Sequence, residues 1–180
     1  MTDSMTLHDA TEGEDHGGAG ANRLPIRFEA RDLFVELGQG QLIEHVLAIV
    51  ATNHGLLIED LYVVPDGEDE PMDCAHPVRH DGRHRRYHVH HRHPVDVTVR
   101  YQASVHHREF RRHAPLERVL DWAIVAFGID PAMAGEFELA RAGSAEELPL
   151  SEHVGHLAGK HDRLELDLVR GDIANGGIYA

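Results

Sequence analysis

The chain has 180 residues, enough for one ordinary domain or two small ones, with 42% hydrophobic residues but only 6% aromatic ones. Its net charge of −14 argues against nucleic acid as the main partner, and its single cysteine, Cys74, excludes an internal disulfide framework. No apolar run reaches the roughly 18 residues of a membrane span, and the polar, acidic N-terminus lacks the apolar segment of a signal peptide, so the expectation is a soluble, cytoplasmic protein with no membrane partner.

Charge is unevenly spread. Residues 1–78 hold 3 Arg against 16 acids, residues 79–113 hold 9 Arg against 3 acids together with nine of the 17 histidines, and residues 114–180 hold 5 basic and 12 acidic residues. A basic segment between two acidic ones is expected to pack against an acidic surface of a neighbour or a partner. Lys160 is the only lysine.

Residues 1–24 read as a disordered tail, because Leu7 is the only large aliphatic before Leu24 apart from two Met, too little to offset ordering entropy. From Pro25, Ile26 and Phe28 alternate with polar neighbours, and Leu33, Val35 and Leu37 do the same, predicting two strands around a tight turn. Leu42, Ile43, Val46, Leu47 and Val50 form one helical face, closed by Gly55 as a left-handed cap. Leu57–Val64 reads as a strand, Pro77-Val78 as a short one, and Arg85–His90 as the closing strand.

The order then repeats more clearly. Val95, Val97, Val99 and Tyr101 alternate, and Val105–Phe110 returns as the second strand of a hairpin. Leu116, Val119, Leu120, Ala123 and Phe127 make a strong helical face, with Pro115 suited to its first turn and Gly128 to its cap. Phe137 and Leu139 mark a strand, Leu148 a minor one, 150–157 an irregular helical turn, and Leu164, Leu166 and Leu168 a final strand. Two units in the order strand, strand, helix, strands predict an α+β fold of two tandem β-grasp domains: a first unit at 25–93, a second at 94–171, and a flexible tail at 172–180.

The VDVTVRYQ strand, the helix LERVLDWAIVAFG, the strand LELDLV and the terminal NGG-IYA together resemble the bacterial tandem ubiquitin-like modifiers, some of which serve in antiphage defence. The resemblance implies a non-enzymatic modifier with no cofactor. Gly177, preceded by Gly176, would be joined to target proteins after removal of Ile178, Tyr179 and Ala180. It implies as partners an E1-like activating enzyme, an E2-like conjugating enzyme and a JAB/JAMM-type peptidase. Arg170, Glu165, Asp167 and Trp122 are the expected partner-facing residues. Glu136, Glu138, Glu165 and Asp167 predict an acidic sheet face where ubiquitin has an aliphatic patch. The alternative is a non-conjugated tandem β-grasp scaffold, which gene neighbourhood would separate from the modifier.

Other chemistry is weak. His91-Arg92-His93-Pro94 opens like a JAB/JAMM zinc peptidase motif, but nine residues separate Pro94 from Ser104 and His107 stands where an Asp is wanted. The His-rich stretch Tyr87–Pro94 therefore reads as a solvated strand end and linker with no metal required, the alternative being a casual zinc or nickel site, since imidazoles two apart on a strand share a face. Cys74 follows an acidic loop, which disfavours a reactive thiolate.

Overall fold

The computed structural model describes residues 7–9, 22–38, 40–78, 86–144 and 146–171. The N-terminal unit contains β1 (Leu7–Asp9), β2 (Asn22–Phe28), β3 (Arg31–Leu37), α1 (Ile43–His54), β4 (Leu61–Pro65) and β5 (Tyr87–His91). The C-terminal unit contains β6 (Val95–Tyr101), β7 (Ser104–Phe110), α2 (Leu116–Ala126), β8 (Phe137–Arg141), α3 (Val154–Ala158) and β9 (Arg163–Arg170).

The strands form two sheets, in the orders β1-β3-β2-β5-β4 and β7-β6-β9-β8. With β1 set aside, the two orders are the same. In each, the first and last strands of the unit run parallel at the centre, Ile26–Phe28 beside Tyr87–Val89 and Asp96–Arg100 beside Arg163–Asp167. A helix crosses one face of each sheet, so the fold is α+β, two β-grasp units in tandem.

Period-2 alternation sets the inner faces. Leu24, Ile26, Phe28, Leu33, Val35 and Leu37 meet Val46, Leu47 and Val50 of α1 in one core; Val95, Val97, Val99, Leu164, Leu166 and Leu168 meet Val119, Leu120 and Ala123 of α2 in the other. Gly55 closes α1 at φ +66, a left-handed conformation that disfavours a Cβ. No described helix is long and apolar enough to cross a membrane.

Several expectations are corrected. The tail read as disordered contributes β1, which pairs antiparallel with β3 from Leu7–Val35 to Asp9–Leu33, and β2 begins at Asn22 rather than after residue 24. The pairing is made by backbone groups along the β3 edge, which the hydropathy of the tail does not register. The strand expected from Leu57 starts at Leu61; Leu57 and Ile58 stay exposed and the latter opens a 3-10 turn. Pro77 makes a single bridge to Leu42, and the minor strand near Leu148 reduces to a bridge between Ala140 and Glu147. Pro115 caps α2 from outside its first turn.

Candidate functional site

In β5, Tyr87 and Val89 point into the N-terminal core, so His88 and His90 must point the other way. That outer face is not solvated. His88 and His90 are only 7% and 2% exposed, because α3 and the Arg112–Ala114 segment of the C-terminal unit lie over them. The reading of this stretch as a solvated strand end is therefore wrong for its first half: a sheet face of one unit is buried by the other, which strand periodicity within one unit cannot register.

Opposite these two rings stand His153, which precedes α3, and His156 inside it. Residues two apart on a strand share a face, and so do residues three apart on a helix, so each element presents a matched pair. His88 Nδ1 and His156 Nε2 are 2.9 Å apart, and His90 Nε2 and His153 Nδ1 are 3.0 Å apart. His88 Nε2 faces Asp66 Oδ1 at 3.1 Å. The Nδ1 atom of His156 is buried and has no hydrogen-bond partner among the described residues.

Burial governs the charge of this cluster. It lowers His88 against the opposing pull of Asp66, drives His90 well below the ordinary histidine value, and brings His153 down to about 4 and His156 to about 2, with the neighbouring imidazoles adding to the effect. Each shift favours the neutral ring, the form that keeps one nitrogen lone pair.

Further contacts tie the units. Arg27 reaches Glu152 at 2.7 Å, Arg118 reaches Asp69 at 3.0 Å, and the Tyr62 hydroxyl lies 3.0 Å from His113 Nδ1. Gly155 is required by the close approach: a Cβ there would stand 2.8 Å from His90 Nδ1 and 2.6 Å from Arg112 Cβ. Arg112, its side chain 1% exposed, bonds the carbonyls of His93, Gly159 and His161 and the carboxylate of Asp162, fastening the linker to the turn before β9. Of the basic segment, Arg86 lies 3.6 Å from Asp32 and Arg100 pairs with Glu165.

On the outer face of the second sheet, Glu165 pairs with Arg100, and Asp167 accepts from the Gly143 N–H at 2.8 Å. Arg170 instead lies over the Phe137 ring, beside Glu136 at 3.7 Å, and Trp122 packs edge-on against Phe110 at 5.6 Å. Glu165 and Asp167 share one face; Arg170 and Trp122 belong to the other side of the sheet, so the four expected partner-facing residues do not form one surface. Glu136 belongs to the turn before β8 rather than to the strand.

Residues 96–171, from β6 to just beyond β9, match the family described as BilA ubiquitin-like domain 2. The C-terminal unit is a ubiquitin-like domain. No curated protein matches the chain. Among solved structures, it is similar to Caldiarchaeum subterraneum ubiquitin at 14% identity over 45% of this chain and 98% of that one, with a TM-score of 0.36. It is also similar to an Arabidopsis thaliana protein at 15% identity over 47% of this chain and 95% of that one, with the same TM-score.

A ubiquitin-like domain is a substrate-like element that enzymes and receptors handle, not an enzyme itself. Its strand β9 ends at Arg170, and Gly171 donates its N–H to the Glu136 carbonyl at 2.9 Å. Gly176, Gly177, Ile178, Tyr179 and Ala180 lie outside the described residues. Lys160 sits exposed in the turn before β9. Cys74 is half-buried at the edge of the N-terminal core.

His153 and His156 were missed at the level of sequence. Their signal was the H-x-x-H spacing in EHVGHLAGKH, which becomes meaningful only when the fold brings it opposite H-x-H.

Proposed function

We propose that the protein is a ubiquitin-like modifier, cut after Gly177 and joined through the carboxylate of that residue to amines on target proteins, in antiphage defence. What supports the reading most is a C-terminal ubiquitin-like domain whose last strand leads within seven positions, Arg170 to Gly177, to a Gly-Gly pair. Seven residues from Gly171 to Gly177 extend roughly 23–25 Å at ~3.3–3.6 Å each, ample to enter another protein's site. Gly176 and Gly177 lack a Cβ and suit a narrow channel.

The chemistry belongs to the partners. An activating enzyme joins the freed carboxylate to AMP from ATP with loss of pyrophosphate, its cysteine displaces AMP to form a thioester, and a conjugating enzyme carries the acyl group to a target amine. A JAB/JAMM-type peptidase releases Ile178-Tyr179-Ala180, without which Gly177 remains an internal amide. Lys160 is the one side-chain amine through which the modifier could build chains on itself.

Three versions test this: full length, a stop after Gly177, and the stop form carrying Gly177→Ala. With the cognate enzymes and ATP, full-length protein should conjugate only when the peptidase is present, the stop form should conjugate without it, and Gly177→Ala should be strongly impaired. Thioester formation between full-length protein and the activating enzyme with ATP but no peptidase, with Ala180 found at the junction by mass spectrometry, would end the proposal.

A further inference from the structure

We propose that His88, His90, His153 and His156 form a zinc site that locks the two β-grasp units together. The inference is independent of conjugation, and it replaces the expectation that no metal is required.

The geometry supports it in four ways. The four rings each offer one nitrogen, and these atoms all lie within 4.8 Å of one another, with facing pairs at 2.9 and 3.0 Å. A tetrahedral zinc with Zn–N of about 2.0–2.1 Å needs nitrogens roughly 3.4 Å apart, so the pairs need to open by a few tenths of an ångström while the longer separations contract. His88, His90 and His156 are 7%, 2% and 2% exposed, so the cluster is shielded from water that would compete for the ion. His88 already directs its far nitrogen at Asp66, the carboxylate that in zinc sites fixes the tautomer and raises ligand basicity. With His88 Nε2–H given to Asp66, its Nδ1 lone pair faces the cluster.

His156 presents Nε2 to His88 from a side chain that is essentially enclosed at 2% exposure, so that nitrogen has no bulk water to bond. Four apposed imidazoles with this much burial make two weak mutual hydrogen bonds and leave polar capacity over. One divalent ion uses all four lone pairs. Four nitrogens without thiolate suit zinc, nickel or copper, and the proposal commits to zinc, whose structural sites are closed by four such ligands.

The site joins a strand of one unit to the helix of the other, so metal binding is coupled to domain orientation. Zinc would present partner enzymes with one rigid two-domain body.

The test uses untagged full-length protein, stripped with chelator and titrated with zinc chloride. One zinc per chain is expected, with a rise of several degrees in the thermal midpoint and X-ray absorption showing four nitrogen ligands at about 2.0 Å. His90→Gln and His153→Gln, one from each unit, should each weaken binding at least ~100-fold, whereas the exposed pair His106→Gln/His107→Gln should leave it unchanged. Asp66→Asn should keep one zinc per chain but lose roughly 10- to 100-fold in affinity, as an orienting carboxylate does. Failure of the wild-type protein to bind zinc, oxygen-dominated absorption spectra, or binding abolished by the His106/His107 change would each overturn the proposal, whatever the folding of the single variants.

Discussion

Replacing Arg112 with methionine isolates the contribution of one buried guanidinium. The change keeps most of the stem volume and removes four donors: to His93 O at 2.8 Å, Gly159 O at 2.8 Å, His161 O at 2.9 Å and Asp162 Oδ1 at 2.7 Å. A hydrogen bond from a charged donor contributes about 1.5–3 kcal/mol, but four that share one group do not add. The Asp162 partner is 69% exposed, so that bond is screened and contributes about 0–1 kcal/mol. The three carbonyls dominate, and some recover water at the turn, leaving an expected loss of about 3–4 kcal/mol. Against a total of about 5–15 kcal/mol this is severe, and at roughly 2–4 °C per kcal/mol it lowers the midpoint by about 6–16 °C. Urea unfolding should show the midpoint concentration falling with an unchanged slope. Arg112→Lys should recover little, because one ammonium cannot reproduce the guanidinium fork. The reasoning fails if Arg112→Met costs under about 1 kcal/mol, or if Asp162→Asn costs as much as Arg112→Met, since the ion pair would then be the cause.

Other outcomes follow from the interface. Gly155→Ala should destabilise by about 1–3 kcal/mol, because its Cβ meets the His90 ring and the backbone of Arg112; a neutral result in urea unfolding would mean that α3 can move away from β5 at little cost. Arg27→Ala and Glu152→Ala, in a double-mutant cycle, should show coupling of about 1 kcal/mol across a pair whose side chains are 24% and 17% exposed, and additive losses would mean the pair does not join the units. Burial lowers His113, helped by Arg111 and Arg118 and opposed by Asp69. Unfolded His113 takes up its proton near pH ~6.5, so between that value and its lower folded value the unfolded state holds more protons and stability falls as pH falls. The wild type should therefore lose more stability than His113→Gln on acidification from about pH 7.5 to 5.5, and parallel losses would refute the assignment.

Much of the fold was legible because each sheet has one solvated and one buried face over most of its length. Val95, Val97 and Val99, and later Leu164, Leu166 and Leu168, announce both the strand and its inner side, and the helices show an apolar stripe of matching width. Legibility failed where a second unit supplied the burial. His88 and His90 occupy positions that alternation assigns to solvent, and nothing within residues 25–93 indicates that α3 covers them. Leu57 and Ile58 failed in the opposite sense, as aliphatics that remain exposed in a turn. The Gly-Gly pair was legible as a motif, while the four-histidine arrangement required the tertiary fold, since 63 residues separate His90 from His153.

The parallel pairing of β6 with β9 also fixes how the C-terminal unit answers to mechanical load. The linker enters β6 at its N-terminal end, and anything attached beyond Arg170 hauls on the opposite end of the neighbouring strand. Tension between those two points runs along the strands and strains the register pairs from Asp96–Arg163 to Arg100–Asp167 simultaneously. Pulling β7 away from β6 at Tyr101–Ser104 would instead open that ladder one pair at a time. In single-molecule stretching, the first direction should rupture at the higher force, giving a tethered tail an anchor that resists an unfolding motor.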